Sequence, residues 1–170
     1  MPIIGLDNLL AKLERMGSSI ESETAKAVQR TTDNAAADAV NNAPASKFSQ
    51  SGAGGAVSLK GSITGKVEGN GGTVTGTVTC NAPHAGYVEF GTGIVGASNN
   101  GGTSPNTNVS YTSRESWVYP AGVGENGETQ FYTTSGQPAR PFMYPAAVQN
   151  QPVFAAEMVS SLRKIAKGGG

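Results

Sequence analysis

The sequence predicts an α+β fold from three observations. Apolar residues recur at helical spacing near the N-terminus, alternate with threonines at period two through the middle, and return to helical spacing ahead of the C-terminal glycines. The architecture expected is a long N-terminal helix and a C-terminal helix packed on a small, mainly antiparallel sheet, with glycine-rich loops and a hairpin insertion. A chain of 170 residues suits one domain with its own core. Its expected parts are a helix over 1–42, a flexible loop over 43–56, a sheet region over 57–149 and a helix over 150–167. The sheet region holds an excursion at 94–110 and a hairpin at 115–135.

The first helix is read from Leu6, Leu9, Leu10, Leu13, Met16 and Ile20, spaced by three and four. Asp7 or Asn8 can cap its start, and no proline interrupts it before Pro44. Beyond Ile20 the stripe weakens to Ala27, Val28, Thr31, Ala35, Asp38 and Ala39. Small residues allow close approach but bury little area, so this half needs a partner to stay ordered. Continuous to Asn41, the helix would be about 50 Å long at about 1.5 Å per residue.

Two strands follow a loop rich in small residues. Ile63 and Val67 flank Gly65, and Val74, Gly76, Val78 and Cys80 alternate with Thr73, Thr75, Thr77 and Thr79. Asn70-Gly71 marks the turn between them. Glycine on the apolar face of both strands predicts a close neighbour there, and the N-terminal helix is the element expected. Tyr87-Val88-Glu89-Phe90 is short, half apolar and bounded by glycines. Residues 96–108 are nearly all Gly, Asn, Ser and Thr around Pro105, the composition of an exposed excursion. "WVYP" at 117–120 and "QFYTT" at 130–134 read as hairpin arms with Asn126-Gly127 near the tip. The last helix runs from about Gln151 to Lys167. Asn150 can cap it, Pro152 fits its first turn, and Phe154, Met158, Leu162 and Ile165 form its inner face. Arg163, Lys164 and Lys167 suit its carbonyl end.

Composition excludes several functions. Twelve basic residues balance twelve acidic ones, so no net field draws the chain to nucleic acid or an acidic membrane. Charged residues are 14 % of the chain, and 24 are glycine, a surface better suited to being covered by neighbours than to free diffusion. Cys80 is the sole cysteine, so no intrachain disulfide framework exists. No signal-peptide or membrane-span pattern is present, and synthesis in a cytosol is expected.

Catalytic patterns are missing too. His84 lies four residues after Cys80, but as a strand pair they would sit about 13 Å apart, and Pro83 intervenes. Two ligands do not make a zinc site. "GSITGK" at 61–66 has the wrong glycine spacing for a phosphate loop and opens no helix. No nucleophile elbow occurs. The basic residues are scattered rather than interleaved with aromatics. No catalytic residue, cofactor or metal is expected.

Two blocks stand out instead. "AGYVEFGTG" at 85–93 and "GQPARPFMYPA" at 136–146 resemble, in order and in the helices around them, the two strong blocks of the head–tail joining, or tail-completion, family of tailed bacteriophages, also called minor tail components. Ala43-Pro44 followed by Leu59, Ser62 and Ile63 is similar to its weaker block, and the Trp117–Tyr119 hairpin is similar to an insertion in relatives from phages of Gram-positive hosts. Residues Phe48 to Ser58 are longer and richer in glycine than that family's pattern. The resemblance extends from Leu6 to about Ile165. It implies a structural, non-enzymatic virion protein of the phage neck. Copies would form a homo-oligomeric ring, a hexamer or dodecamer, beside neighbouring neck and tail proteins. DNA would pass through without sequence-specific contact, and no membrane would be involved. The alternative is a phage-associated adhesion or protein-binding module that uses the exposed 96–108 loop.

The candidate structural and interface residues come from these blocks: Tyr87, Glu89, Phe90, Gly91 and Thr92 from the first, and Gln137, Pro138, Arg140, Pro141, Phe142, Met143 and Pro145 from the second. The three prolines disfavour helix at Gln137, Arg140 and Tyr144. The segment therefore reads as an extended strap delivering Phe142 and Met143 to an apolar site, within the subunit core or in an intersubunit pocket. Glu89 is expected to accept amides of the Gly91-Thr92-Gly93 turn or to pair with Arg140. Ala35 marks the small-residue face of the first helix, expected to pack on an adjacent subunit. Otherwise that helix breaks near Thr31-Thr32 and folds back on its own sheet.

Overall fold

The computed structural model describes residues 6–45, 58–70, 72–99, 115–123 and 126–167. Most of the loop expected at 43–56, and the part of the excursion beyond Asn99, lie outside them. The architecture is α+β: α1 (Leu6–Asn42), β1 (Ile63–Asn70), β2 (Thr73–Cys80), α2 (Ala85–Phe90), α3 (Gly93–Asn99), β3 (Trp117–Val123), β4 (Thr129–Thr134), β5 (Gly136–Gln137) and α4 (Met143–Ala166). The sheet expected as one is two: β1 pairs with β2, and β3 pairs with β4. Contacts divide the chain into two compact units, one of Met1–Asp38, Thr64–Thr79 and Ala146–Gly170, the other of Ala39–Ile63 and Cys80–Pro145.

In the first unit α1 lies across the β1–β2 hairpin. A Cβ added at Gly65 would stand 3.1 Å from Thr32 Cγ2, and one at Gly76 would meet Thr32 Oγ1 and lie 3.0 Å from Val28 Cγ1. The strand glycines thus admit the helix, as their position on the apolar face predicts. Val67, Val74 and Val78 are half-buried on that face while the threonines are exposed. Ala27, Val28 and Thr32 are buried. The helix does not break at Thr31-Thr32, yet this stretch is covered by its own chain. Ala35 is half-buried one turn from Thr32. The strongly apolar first half behaves oppositely: Leu10, Leu13 and Ile20 are exposed.

α4 joins α1 through polar contacts. Asn150 Nδ2 donates to Asp38 Oδ2 at 2.7 Å and to the Ala146 carbonyl at 2.9 Å, and Arg30 Nε donates to Glu157 Oε2 at 3.2 Å. Asn150 is therefore a buried mid-helix residue, not the cap expected of it. α4 starts at Met143, which places Pro152 inside the helix. There Pro152 leaves the Val148 carbonyl without its helical donor. Ala146, Asn150, Ser161 and Ile165 are buried and Phe154 and Met158 half-buried, so the expected inner face holds except at Leu162, which is exposed while Ser161 takes its place. Asn150 and Ser161 hold inner positions that a reading by hydropathy assigns elsewhere.

The second unit has a core of Ala39, Ala43, Leu59, Ile63, Ala82 and Phe142. A single 3-10 turn at Lys60–Ser62 leads into β1, and Asn81 N–H donates to the Ser62 carbonyl at 3.0 Å. Cys80 Sγ donates to the Leu59 carbonyl at 3.7 Å, and His84 occupies the N-cap of α2. Ala85–Phe90 and Gly93–Asn99 are short helices where the sequence predicts sheet and excursion. Runs of six or seven residues are too short for period alone to separate helix from strand. β3 and β4 form the expected hairpin, in antiparallel register from Trp117 opposite Thr134 to Val123 opposite Thr129, with an irregularity between Pro120 and Gly122.

Candidate functional site

The two sequence blocks meet in the second unit. Thr92 and Gly93 bridge antiparallel to Gln137 and Gly136. Gln137 fastens the junction twice: its backbone N–H donates to Thr92 Oγ1 at 3.1 Å, and its Nε2 donates to the Tyr87 carbonyl at 2.9 Å. Arg140 N–H donates to the Val88 carbonyl at 2.8 Å, and Val95 N–H to the Ser135 carbonyl at 3.2 Å. Gly91 permits the approach. Its φ is 75°, and a Cβ there would lie 2.7 Å from both the Gln137 carbonyl oxygen and the Ala139 nitrogen. A side chain would be strained by the conformation and blocked by the space.

Glu89 is the centre of this clamp. It lies one residue from the end of α2 and is buried. Its Oε2 accepts the N–H groups of Phe142 at 2.7 Å and Met143 at 3.0 Å, and its Oε1 accepts Tyr144 N–H at 2.9 Å. These are the first orphan donors of α4. A helix usually satisfies them with a Ser, Thr, Asp or Asn at the N-cap, but that place is held by Phe142, which has no acceptor. The next donor does not exist, because residue 145 is proline. One carboxylate and one proline therefore complete the end of a 24-residue helix. Its negative charge also opposes the positive end of the helix dipole.

This geometry corrects three expectations. Glu89 caps α4 rather than the Gly91–Gly93 turn, and among the described residues no ion pair joins it to Arg140, whose contribution is its backbone. The extended strap ends at Phe142. Met143, Tyr144 and Pro145 are helical, since a proline in the first turn of a helix costs no hydrogen bond. Phe142 is fully buried within the chain, at 0 % exposure, the only large side chain among the described residues so enclosed. Met143, Tyr144, Pro141 and Phe90 are half-buried, while Tyr87, Gln137, Pro138 and Arg140 face solvent.

Other chemistry is sparse. Among the described residues no group of three or more His, Cys, Asp or Glu is placed to hold a metal ion, and no helix is long and apolar enough to cross a membrane. Lys26 holds the Glu23 carboxyl below its usual range through a hydrogen bond, and Lys66 does the same for Glu68. Both pairs are local and exposed.

A family model described as "Bacteriophage HK97-gp10, putative tail-component" matches residues 7–91, half of the chain. The chain belongs to this family. No curated protein and no solved structure gives a match. The HK97-gp10-like match takes in α1 from its second residue, the β1–β2 hairpin and most of the first block, and ends at Gly91. The second block lies beyond it, but three hydrogen bonds to Glu89 tie that block to the matched part. The sequence signal for this cap is a lone acid in an otherwise apolar helical turn, followed far downstream by a helix start that lacks a capping side chain. Rules that look for the cap next to its helix pass over it.

Proposed function

We propose that the protein is a structural, non-enzymatic component of the phage virion neck, whose copies close into a ring joining the head connector to the tail. DNA passes through the ring without sequence-specific contact. Family membership supports the setting in a phage tail. The observation that carries the assembly reading is the apolar surface the folded chain leaves open, including Leu10, Leu13 and Ile20 on α1 and Phe131 and Val118 on the hairpin. Patches of this kind mark surfaces that neighbours cover. In this reading Glu89, Gln137 and Phe142 hold the subunit in shape, and neighbouring subunits or neck proteins cover the open surface. Ala35 contributes to a subunit contact only through the part of it that stays exposed.

Sedimentation and native mass measurement test the reading, on the protein alone and mixed with head-connector and tail-tube proteins. A discrete closed oligomer is expected in at least one of these mixtures. A chain that remains monomeric in all of them removes the ring.

A further inference from the structure

The β3–β4 hairpin stands as a two-stranded sheet, and such a pair is marginal in water unless something covers it. Val118, Pro120 and Phe131 share one face, with Pro120 opposite Phe131. Phe131 is 65 % exposed. On the opposite face Tyr119 pairs with Tyr132, and both are exposed. Between Trp117 and Thr134 the hairpin carries Glu125 and Glu128 and no lysine or arginine. At about 3.3 Å per residue its arms reach roughly 20 Å.

A complementary surface exists on the same molecule. Ala155, Ala156, Val159 and Ser160 form a shallow, open groove on the exposed side of α4, edged by Arg163, Lys164 and Lys167. All seven residues are exposed. Among the described residues none of these three cations makes an ion pair. The small floor suits a rigid aromatic edge, and the cationic rim suits the Glu128 carboxylate of the hairpin.

We infer that the acidic, apolar hairpin of one copy docks in the basic, apolar α4 groove of the next copy. This is a head-to-tail contact. Each molecule supplies one hairpin and one groove, so repetition closes a ring where the rotation permits. The inference rests on the ring reading and names its contact.

Charge reversal tests it. Glu128→Lys and Lys164→Glu should each weaken self-association by about tenfold or more, and Phe131→Ser should do the same without changing charge. Mixing the Glu128→Lys and Lys164→Glu proteins should restore assembly, because alternating copies then present opposite charges at every contact. Rescue by mixing establishes a contact between molecules. Rescue only when both changes share one chain would mean that the hairpin docks on its own α4, and overturns the proposal. Oligomers that survive every single change also overturn it while leaving the ring reading intact. An unaltered chain that stays monomeric alone and with connector and tube proteins removes both. If Lys164→Glu abolishes retention of duplex DNA and leaves oligomers unchanged, the groove faces nucleic acid and the proposal falls.

Discussion

The two halves of α1 reverse the usual relation between hydropathy and burial. Its first half carries the large side chains, and Leu13 is 54 % exposed. Its second half is alanine, valine and threonine, and Ala27 is completely buried. The difference follows from what each half faces. Gly65 and Gly76 bring the backbones of β1 and β2 against Val28 and Thr32, and a leucine in their place would not fit. Small residues there gain close packing in place of area. In the first half Leu10, Leu13 and Ile20 stay exposed and Met16 is only half-buried, which is how a surface reserved for another molecule looks.

The contrast between large buried, small buried and large open groups can be broken or sharpened by substitution. The largest effect is expected at Phe142, where alanine should cost about 3–5 kcal/mol of unfolding free energy, read by chemical denaturation. A loss under about 1 kcal/mol would mean that the ring's burial contributes little. Glu89→Gln comes next. It keeps the shape, removes the charge and turns an amide donor toward backbone donors, so a loss of about 2–4 kcal/mol is expected. Frayed amides at Phe142–Tyr144 in hydrogen exchange would localise the damage.

Gly76→Ala should cost about 1–3 kcal/mol, because the added carbon meets Thr32 and Val28. In a strand without that close approach the same change is favourable, so a stabilised protein would mean that α1 does not lie on this strand. Gly17→Ala is its counterpart. Nothing lies within 4 Å of the new carbon, and it should stabilise α1 by about 0.5–1 kcal/mol, raising the melting temperature. The smallest effect on folding belongs to Leu13→Gln, within about 0.5 kcal/mol for the isolated chain. Its effect should appear as weakened association with subunits or neck proteins, measured by sedimentation. A large loss of monomer stability would show that the stripe is internal after all.

Much of this architecture could be read from the residues. The β1–β2 hairpin follows from Val–Thr alternation around Asn70-Gly71, and the β3–β4 hairpin from its aromatic arms and Asn126-Gly127. The strand glycines also named α1 as their neighbour. What escaped was mostly non-local. The start of α4 is set by a carboxylate in α2, so Asn150 and Pro152 offered a plausible but false boundary. The inner face of α4 includes Asn150, whose burial depends on Asp38 of α1. Leu162 and Leu13 show the other gap: an amphipathic pattern identifies a face that favours cover without saying which molecule supplies it.

The Glu89 cap also orders events in time. Its acceptor and donors are separated by 53 to 55 residues, so closing that loop costs about 3.5 kcal/mol of chain entropy before the bonds form. On the ribosome α2 emerges long before Tyr144 and the rest of α4. The first turn of α4 therefore closes only after the second block has been made and brought back to α2. Until then Phe142 has no secured seat. A chain interrupted before this point lacks the buried aromatic and the cap together, so the settled subunit belongs only to molecules that already carry the second block.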